Sequence, residues 1–208
     1  VDRFLGIPDP VGSIRRTLGK ETALRPALEA GKGIRILRQD PWECLVAFVT
    51  SQVSNIPRIR QNLETLVQYL GVPASNGFHF PAPERLKSEK QLRQLGFGFR
   101  AKYIAQIAKE VEKGALEGLQ DLATAELRKR LITLPGIGRK VADCIMLFAF
   151  GRLEVFPLDT RIRQAMTQLY FRGKKPRGGD DAIQAKAQEK FGLHAGYAQQ
   201  YLYVWARR

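Results

Sequence analysis

Apolar residues recur every three or four positions through almost the whole of this 208-residue chain. That spacing places them on one face of an α-helix, and it is clearest over residues 45–49, 56–70 and 103–111. Alternation of apolar and polar residues is not sustained anywhere, so a sheet of any size is not expected. Glycine and proline clusters separate the periodic stretches as turns. The pattern predicts an all-α fold.

The charge balance favours a polyanionic partner. Lysine and arginine number 34 against 20 aspartate and glutamate residues, which gives a net charge of +14 and a pI of about 10.1. A composition that is 44% hydrophobic and 26% charged excludes a disordered chain, a collagen-like chain and a disulfide scaffold. Nucleic acid is the commonest partner of such a basic folded chain.

The two cysteines and the apolar runs indicate the compartment. Cys44 and Cys144 both lie in apolar helical patterns, so we expect reduced thiols, and two are too few for a four-cysteine zinc site or an iron–sulfur cluster. The longest apolar run, residues 145–150, is far too short to span a bilayer, and the first residues lack the features of a signal peptide. We expect an intracellular protein, in a prokaryotic cytoplasm or a nucleus, with no membrane partner.

The segment at residues 131–150 has the pattern of a helix, a hairpin and a second helix. The hairpin is Leu-Pro-Gly-Ile-Gly, and Gly136 and Gly138 let backbone amides approach a ligand closely. Arg139 and Lys140 add positive charge at the start of the second helix, where free amides already favour an anion. The hairpin is therefore a candidate site for DNA phosphates. The alternative is an ordinary pair of antiparallel helices with a glycine turn.

Together with Val-Phe-Pro-Leu-Asp-Thr at residues 155–160, this hairpin resembles the helix-hairpin-helix, Gly/Pro-Asp superfamily of DNA glycosylases. Within it, residues 37–45, 95–103, 140–144 and 195–199 are similar to 8-oxoguanine DNA glycosylase/lyase. The resemblance implies two helical lobes with a DNA-binding cleft, and we place the lobes at residues 42–155 and at residues 1–41 plus 156–208. It implies a monomer without cofactor that excises 8-oxoguanine from double-stranded DNA as a bifunctional glycosylase and AP lyase.

The resemblance starts near residue 35 and includes no β-rich domain before that point, so we expect a short form that lacks the N-terminal β domain. The branch with an iron–sulfur cluster is excluded because its C-terminal cysteines are absent. Two alternatives remain: a monofunctional alkyl-base glycosylase, against which Lys140 argues, and a non-catalytic helix-hairpin-helix DNA-binding module.

The resemblance assigns catalysis to Lys140 and Asp159. A lysine at a helix start, beside apolar residues and other cations, can supply an amine that attacks C1′ of a nucleotide and forms a Schiff base. Its alternative role is contact with phosphate only. Asp159 precedes a helical stretch and is a natural N-cap, and the same carboxylate can stabilise positive charge on the sugar as the base departs. We expect Asp159 to do both.

The resemblance assigns recognition of the extruded base to two side chains that stack on it and one side-chain amide that hydrogen-bonds it. Cys144 follows Lys140 by four residues on one helix face, and Gln199 and Tyr203 have the same spacing. Cys144 and Tyr203 are expected to sandwich the base and Gln199 to hydrogen-bond it. The alternatives are core packing for Cys144 and Tyr203 and a surface amide for Gln199. One hypothesis is that the terminal carboxylate of Arg208, or a carbonyl of the last turn, accepts the N7 proton of 8-oxoguanine. The alternative is a frayed C-terminus, with a carbonyl elsewhere in the chain as the acceptor.

The remaining candidates contact the DNA strands. An aromatic residue beside an arginine suits a protein that kinks DNA, although Phe99 could equally belong to the core. Where the family carries asparagines that fill the space vacated by the base, this chain has Gln52, which we expect to be the filler, as glutamine is in related glycosylases. This departure puts the preference for cytosine opposite the lesion in doubt. The candidates for DNA contact are Gln52, Asn55, Arg58, Phe99, Arg100, Gly136, Gly138, Arg139 and Arg161. No catalytic metal is expected, while the carbonyls of Thr133, Leu134 and Ile137 are placed to hold a structural cation.

Overall fold

The computed structural model describes residues 1–207, and its regular structure is mostly helical, which confirms the predicted fold class. The α-helices are α1 (Val11–Leu18), α2 (Arg25–Ala30), α3 (Pro41–Thr50), α4 (Ile56–Leu70), α5 (Glu89–Gln94), α6 (Arg100–Glu112), α7 (Thr124–Ile132), α8 (Arg139–Phe148), α9 (Thr160–Tyr170), α10 (Gly179–Phe191) and α11 (Ala195–Trp205). Short 3₁₀ turns lie at Thr22–Leu24, Pro83–Leu86, Leu119–Asp121 and Gly192–His194. None of the helices in this described part of the chain is long and apolar enough to cross a membrane.

One small hairpin interrupts the helices. Strand β1 (Val72–Ala74) pairs antiparallel with β2 (Gly77–His79), and Pro73 lies opposite Phe78. Three residues per strand are too few for an alternating pattern to be visible in the sequence, so this hairpin was not predicted.

The chain forms two compact units. Unit 1 consists of Val1–Arg38 and the described residues from Met146 onward, and unit 2 is Gln39–Ile145. The second division therefore falls inside α8, ten residues before the boundary proposed from the sequence.

Unit 1 is built around α11. Its Tyr201 ring lies against α2 so closely that a Cβ on Gly31 would be 2.5 Å from a ring carbon. Asp9 accepts hydrogen bonds from both the Arg38 guanidinium, at 2.9 Å, and the Tyr197 hydroxyl, at 2.8 Å. These contacts fasten the first residues of the chain to α11.

Unit 2 has an apolar core between α3 and α6. Leu45 and Val49 of α3 and Ile104 and Ile107 of α6 are fully buried. The Trp42 indole NH donates to the Pro81 carbonyl at 2.9 Å, which fixes the start of α3 to the segment after β2. Helices α7 and α8, with the hairpin between them, belong to this unit up to Ile145.

Candidate active site and nucleic-acid surface

Helices α7 and α8 are joined by a hairpin at residues 133–138, as the sequence predicts. The Ile137 amide donates to the Leu134 carbonyl at 3.1 Å, which closes the turn. Gly136 has φ +75°, and a Cβ there would lie 2.6 Å from the Tyr103 ring. Gly138, in contrast, has open space where its Cβ would lie. The hairpin is thus packed on one side by Tyr103 and open to a ligand at Gly138.

An ion pair fastens the two helices of this motif. Arg128 of α7 donates through Nε to Asp143 Oδ1 of α8 at 2.6 Å. Asp143 is 1% exposed, and its Oδ2 is buried without a hydrogen-bond partner among the described residues. Burial raises the pKa of the Asp143 carboxyl, while Arg128 opposes that rise.

Lys140 lies in the first turn of α8 and is half-buried. Its Nζ is 5.6 Å from the centre of the Phe48 ring of α3, a cation–π contact. No ion pair of Lys140 occurs among residues 1–207. The amine is therefore held by an aromatic ring and not neutralised by a carboxylate of the described chain.

Cys144 lies one turn after Lys140 and is 5% exposed. Its neighbour Cys44 is also buried, and burial raises the pKa of the Cys44 thiol, with a further contribution from Cys144. Both thiols are free of disulfide bonds, as expected.

The α3–α4 loop carries several of the candidate DNA contacts. Asn55 caps α4, because its side chain accepts from the Arg58 amide at 3.0 Å, and Arg58 itself is exposed. Gln52 donates through Nε2 to the Gly136 carbonyl at 2.8 Å. The sequence-predicted residues Gln52 and Gly136 are thus brought together, 84 positions apart in the chain.

The start of α6 places an aromatic ring and a guanidinium side by side. Phe99 is 47% exposed, so it does not belong to the core. The Arg100 guanidinium lies 4.7 Å from the centre of the Phe99 ring, and Tyr103 meets that ring edge-on at 6.4 Å. The sequence analysis did not include Tyr103 among the candidate site residues. Its spacing of four from Phe99 places the two rings on one helix face and could have indicated their contact.

Four of the predicted residues belong to unit 1. Asp159 caps α9, accepting from the Ile162 amide at 2.8 Å, and Arg161 is exposed in the first turn of that helix. Gln199 is 4% exposed on α11, and its amide oxygen accepts from Gln200. The Tyr203 ring is half-buried and lies 5.8 Å from the Arg207 guanidinium. Arg208 lies outside the described residues.

The candidate cation ligands lie in the hairpin turn. The Leu134 carbonyl already accepts from Ile137, which leaves one lone pair for a cation. No group of three or more histidine, cysteine, aspartate or glutamate side chains suited to a metal occurs among residues 1–207.

Family models cover most of the chain. The model described as HhH-GPD superfamily base excision DNA repair protein matches residues 46–192, and that of the 8-oxoguanine DNA glycosylase N-terminal domain matches residues 11–45. The second match extends the resemblance to residue 11, earlier than the start near residue 35 expected from the motifs.

Individual relatives agree with these matches. The N-glycosylase/DNA lyase of Arabidopsis thaliana is 36% identical over 83% of this chain and 52% of that protein, so this chain spans about half the length of that relative. The probable N-glycosylase/DNA lyase of Methanothermobacter thermautotrophicus is 30% identical over 92% of this chain and 69% of that protein.

A solved structure of an 8-oxoguanine glycosylase/lyase is also similar to this chain. The Clostridium acetobutylicum 8-oxoguanine glycosylase/lyase, in complex with double-stranded DNA containing cytosine opposite 8-oxoguanine, has a TM-score of 0.91 and 33% identity, with 99% of this chain and 73% of that chain covered. The chain therefore belongs to the helix-hairpin-helix, Gly/Pro-Asp superfamily of base excision DNA repair proteins, in the branch of the 8-oxoguanine DNA glycosylases/lyases.

Proposed function

We propose that this protein excises 8-oxoguanine from duplex DNA as a bifunctional DNA glycosylase and AP lyase. The observation that carries the proposal is Lys140, which lies in the first turn of α8 after the hairpin and has no ion pair among the described residues. The relatives of this protein are named as N-glycosylases/DNA lyases. A lysine amine at this position supplies the nucleophile for a combined glycosylase and lyase reaction.

In the proposed reaction the Lys140 amine attacks C1′ of the damaged nucleotide. The bond between C1′ and the base breaks, and the base leaves with the electron pair. The attached amine loses a proton to the departing base, and the C1′–O4′ bond of the sugar ring then opens, with a proton going to O4′ and the nitrogen forming a Schiff base to C1′. The Schiff base acidifies the 2′ position. Loss of a 2′ proton follows, and the C3′–O bond breaks in β-elimination with the 3′ phosphate as the leaving group. The Asp159 carboxylate stabilises positive charge on the sugar while the base departs.

The base-recognition roles of Cys144, Gln199 and Tyr203 rest on the resemblance. Burial of Gln199 supports its part, because a buried amide has few partners to choose from and can select one hydrogen-bonding edge. Arg58, Arg139 and Arg161 are exposed and suited to phosphate. We further propose that the protein acts as a monomer.

Borohydride trapping tests the nucleophile. Incubation with an 8-oxoguanine duplex and borohydride should give a covalent protein–DNA adduct, and Lys140→Gln should abolish the adduct and strand cleavage while DNA affinity stays within about threefold, since most phosphate contacts remain. The matched control is Lys129→Gln, because Lys129 is an exposed lysine of the same motif that pairs with Glu126. An adduct that survives Lys140→Gln would contradict the assignment.

A panel of lesion duplexes tests the substrate. Excision of 8-oxoguanine in preference to alkylated bases is expected. Excision without a trapped adduct would instead indicate a monofunctional glycosylase, and binding without excision a DNA-binding module.

A further inference from the structure

A groove of about 530 Å³ lies within unit 2, between the first half of α3, the second half of α4 and the chain at β2. Glu43 and Ala47 line it from α3, and Leu63 and Val67 line it from α4. Residues four apart lie on one face of a helix, so each helix contributes one stripe of side chains to the groove. The walls of the groove are therefore set by the packing of two helices.

Apolar side chains in the groove are left uncovered by the described chain. Phe78 of β2 is 47% exposed, and Phe80, just after the strand, is half-buried. Ala47, Leu63 and Val67 are half-buried as well. Single exposed apolar residues are common on protein surfaces, whereas a cluster that lines one concave surface is typical of an interaction site.

The groove is acidic although the protein is strongly basic. Glu43 and Glu64 line it, one from each helix, and none of the lining residues in the described chain is a lysine or an arginine, of which the sequence has 34. Glu64 pairs with Arg60, whereas Glu43 has no ion pair among residues 1–207. Burial, and after it the negative charge of Asp40, raise the pKa of the Glu43 carboxyl. A cation supplied by a partner would offset both effects.

The groove lies away from the α3–α4 loop that carries candidate DNA contacts. Glu43 precedes Ser51, the first residue of the loop, by eight positions, and Leu63 follows Asn55, the last, by eight. At 1.5 Å per residue, each interval is about 12 Å along its helix. A partner in the groove and a duplex at the loop therefore do not compete for the same residues.

We propose that this groove binds a short segment of a partner protein that inserts one or two large apolar side chains and carries lysine or arginine beside them. The groove takes no part in the proposed excision reaction. Such a segment gains apolar burial against Phe78 and Phe80 and an ion pair with Glu43. The remaining surface of a basic protein repels the same segment, so the acidic groove also gives specificity.

Selection from a library of short random peptides displayed on phage tests the class of partner. The target is the wild-type protein saturated with a duplex that contains a tetrahydrofuran abasic analogue, which covers the DNA-binding surface. We expect enrichment of peptides in which lysine or arginine flanks an aromatic residue or leucine. Enrichment of acidic peptides alone, or of no common sequence, would overturn the proposal.

Fluorescence anisotropy with the selected peptide, labelled and in solution, tests where it binds. Phe78→Ser should weaken binding about tenfold or more, because a large apolar contact is lost. Tyr69→Ser is the matched control, since Tyr69 is a 70% exposed aromatic residue of α4 that does not line the groove. Equal affinity of the wild-type protein and Phe78→Ser would overturn the site.

An exchange of charges separates a specific contact from a damaged fold. Glu43→Lys should weaken binding of the selected peptide about tenfold. A peptide with glutamate in place of the flanking cations should bind Glu43→Lys but not the wild-type protein, a result that a misfolded variant does not give. Equal binding of each peptide to both proteins would overturn the ion pair and, with it, the proposed class of partner.

Sedimentation velocity and borohydride trapping complete the test. A wild-type dimer that Phe78→Ser abolishes would assign the groove to a second copy of this chain and overturn the proposal. Trapping on an 8-oxoguanine duplex should be equal in the wild-type protein and Phe78→Ser, and a loss in Phe78→Ser alone would place the groove in the DNA-binding surface and overturn the proposal. Absence of trapping in both proteins would contradict the proposed function and leave peptide binding as expected, so the two failures are distinguishable.

Discussion

Asp159 combines a structural role with the proposed catalytic one, and two substitutions separate them. Asparagine caps helices about as well as aspartate, so Asp159→Asn should change the free energy of unfolding by less than about 0.5 kcal/mol. Excision should still fall by about 10²-fold or more, because the negative charge beside the developing cation is lost. Urea unfolding and single-turnover excision measure the two effects.

Asp159→Ala is the companion variant. It should lose the excision activity and also about 1 kcal/mol of stability, since alanine cannot accept from the Ile162 amide. Full activity in Asp159→Asn would leave Asp159 with the helix cap alone.

The two hairpin glycines should respond oppositely to alanine. Gly136→Ala should destabilise the protein by about 2 kcal/mol or more, because the new Cβ meets the Tyr103 ring at a positive φ. Gly138→Ala should leave the melting temperature nearly unchanged, since its Cβ enters open space, but should weaken DNA binding there. Equal melting temperatures for the two variants would contradict the packing of the hairpin on Tyr103.

At the scale of elements, the Arg128–Asp143 pair makes the α7–α8 motif sensitive to pH. Arg128→Met leaves a buried carboxylate unpaired, which should cost about 3 kcal/mol at pH 8. The loss of Arg128 raises the pKa of Asp143 further above its ordinary value. Because a raised carboxyl pKa favours folding at low pH and this advantage is lost as pH rises through it, the destabilisation should be smaller at pH 5 than at pH 8.

Urea unfolding at the two pH values measures this dependence. The matched control is Lys129→Met, which breaks the exposed Lys129–Glu126 pair of α7 and should cost less than about 1 kcal/mol at either pH. A cost for Arg128→Met that does not vary with pH would show that Asp143 does not titrate in this range.

Local sequence patterns predicted the helices and their caps. They did not predict conformations that depend on contacts between residues far apart in the chain. The placement of Lys140 and Cys144 on one helix and the capping of α9 by Asp159 follow from neighbouring residues. The Arg100 Nε donates to the Gln52 carbonyl, 48 positions away, and no periodicity indicates that bond. Val53 has a φ of +48°, a conformation that its own neighbours in the sequence did not indicate.

At the scale of the whole molecule, the net charge of +14 should make binding of undamaged duplex strongly dependent on salt. Three phosphate contacts, from Arg58, Arg139 and Arg161, give a slope of log affinity against log salt of about −2.7. Fluorescence anisotropy between low and physiological salt measures it. Lys113→Ala, at an exposed lysine paired with Glu110, should leave the slope unchanged. A flat dependence would contradict these contacts.

The assembly of unit 1 from two distant segments sets the order of events during translation. Residues 1–38 leave the ribosome before unit 2, but α11, to which Asp9 and α2 are fastened, is synthesised after unit 2. Asp9 and α2 therefore lack their contacts with Tyr197 and Tyr201 of α11 while the whole of unit 2 is made. At about 5–20 residues per second that interval is on the order of ten seconds, long enough for a chaperone to bind the waiting segment.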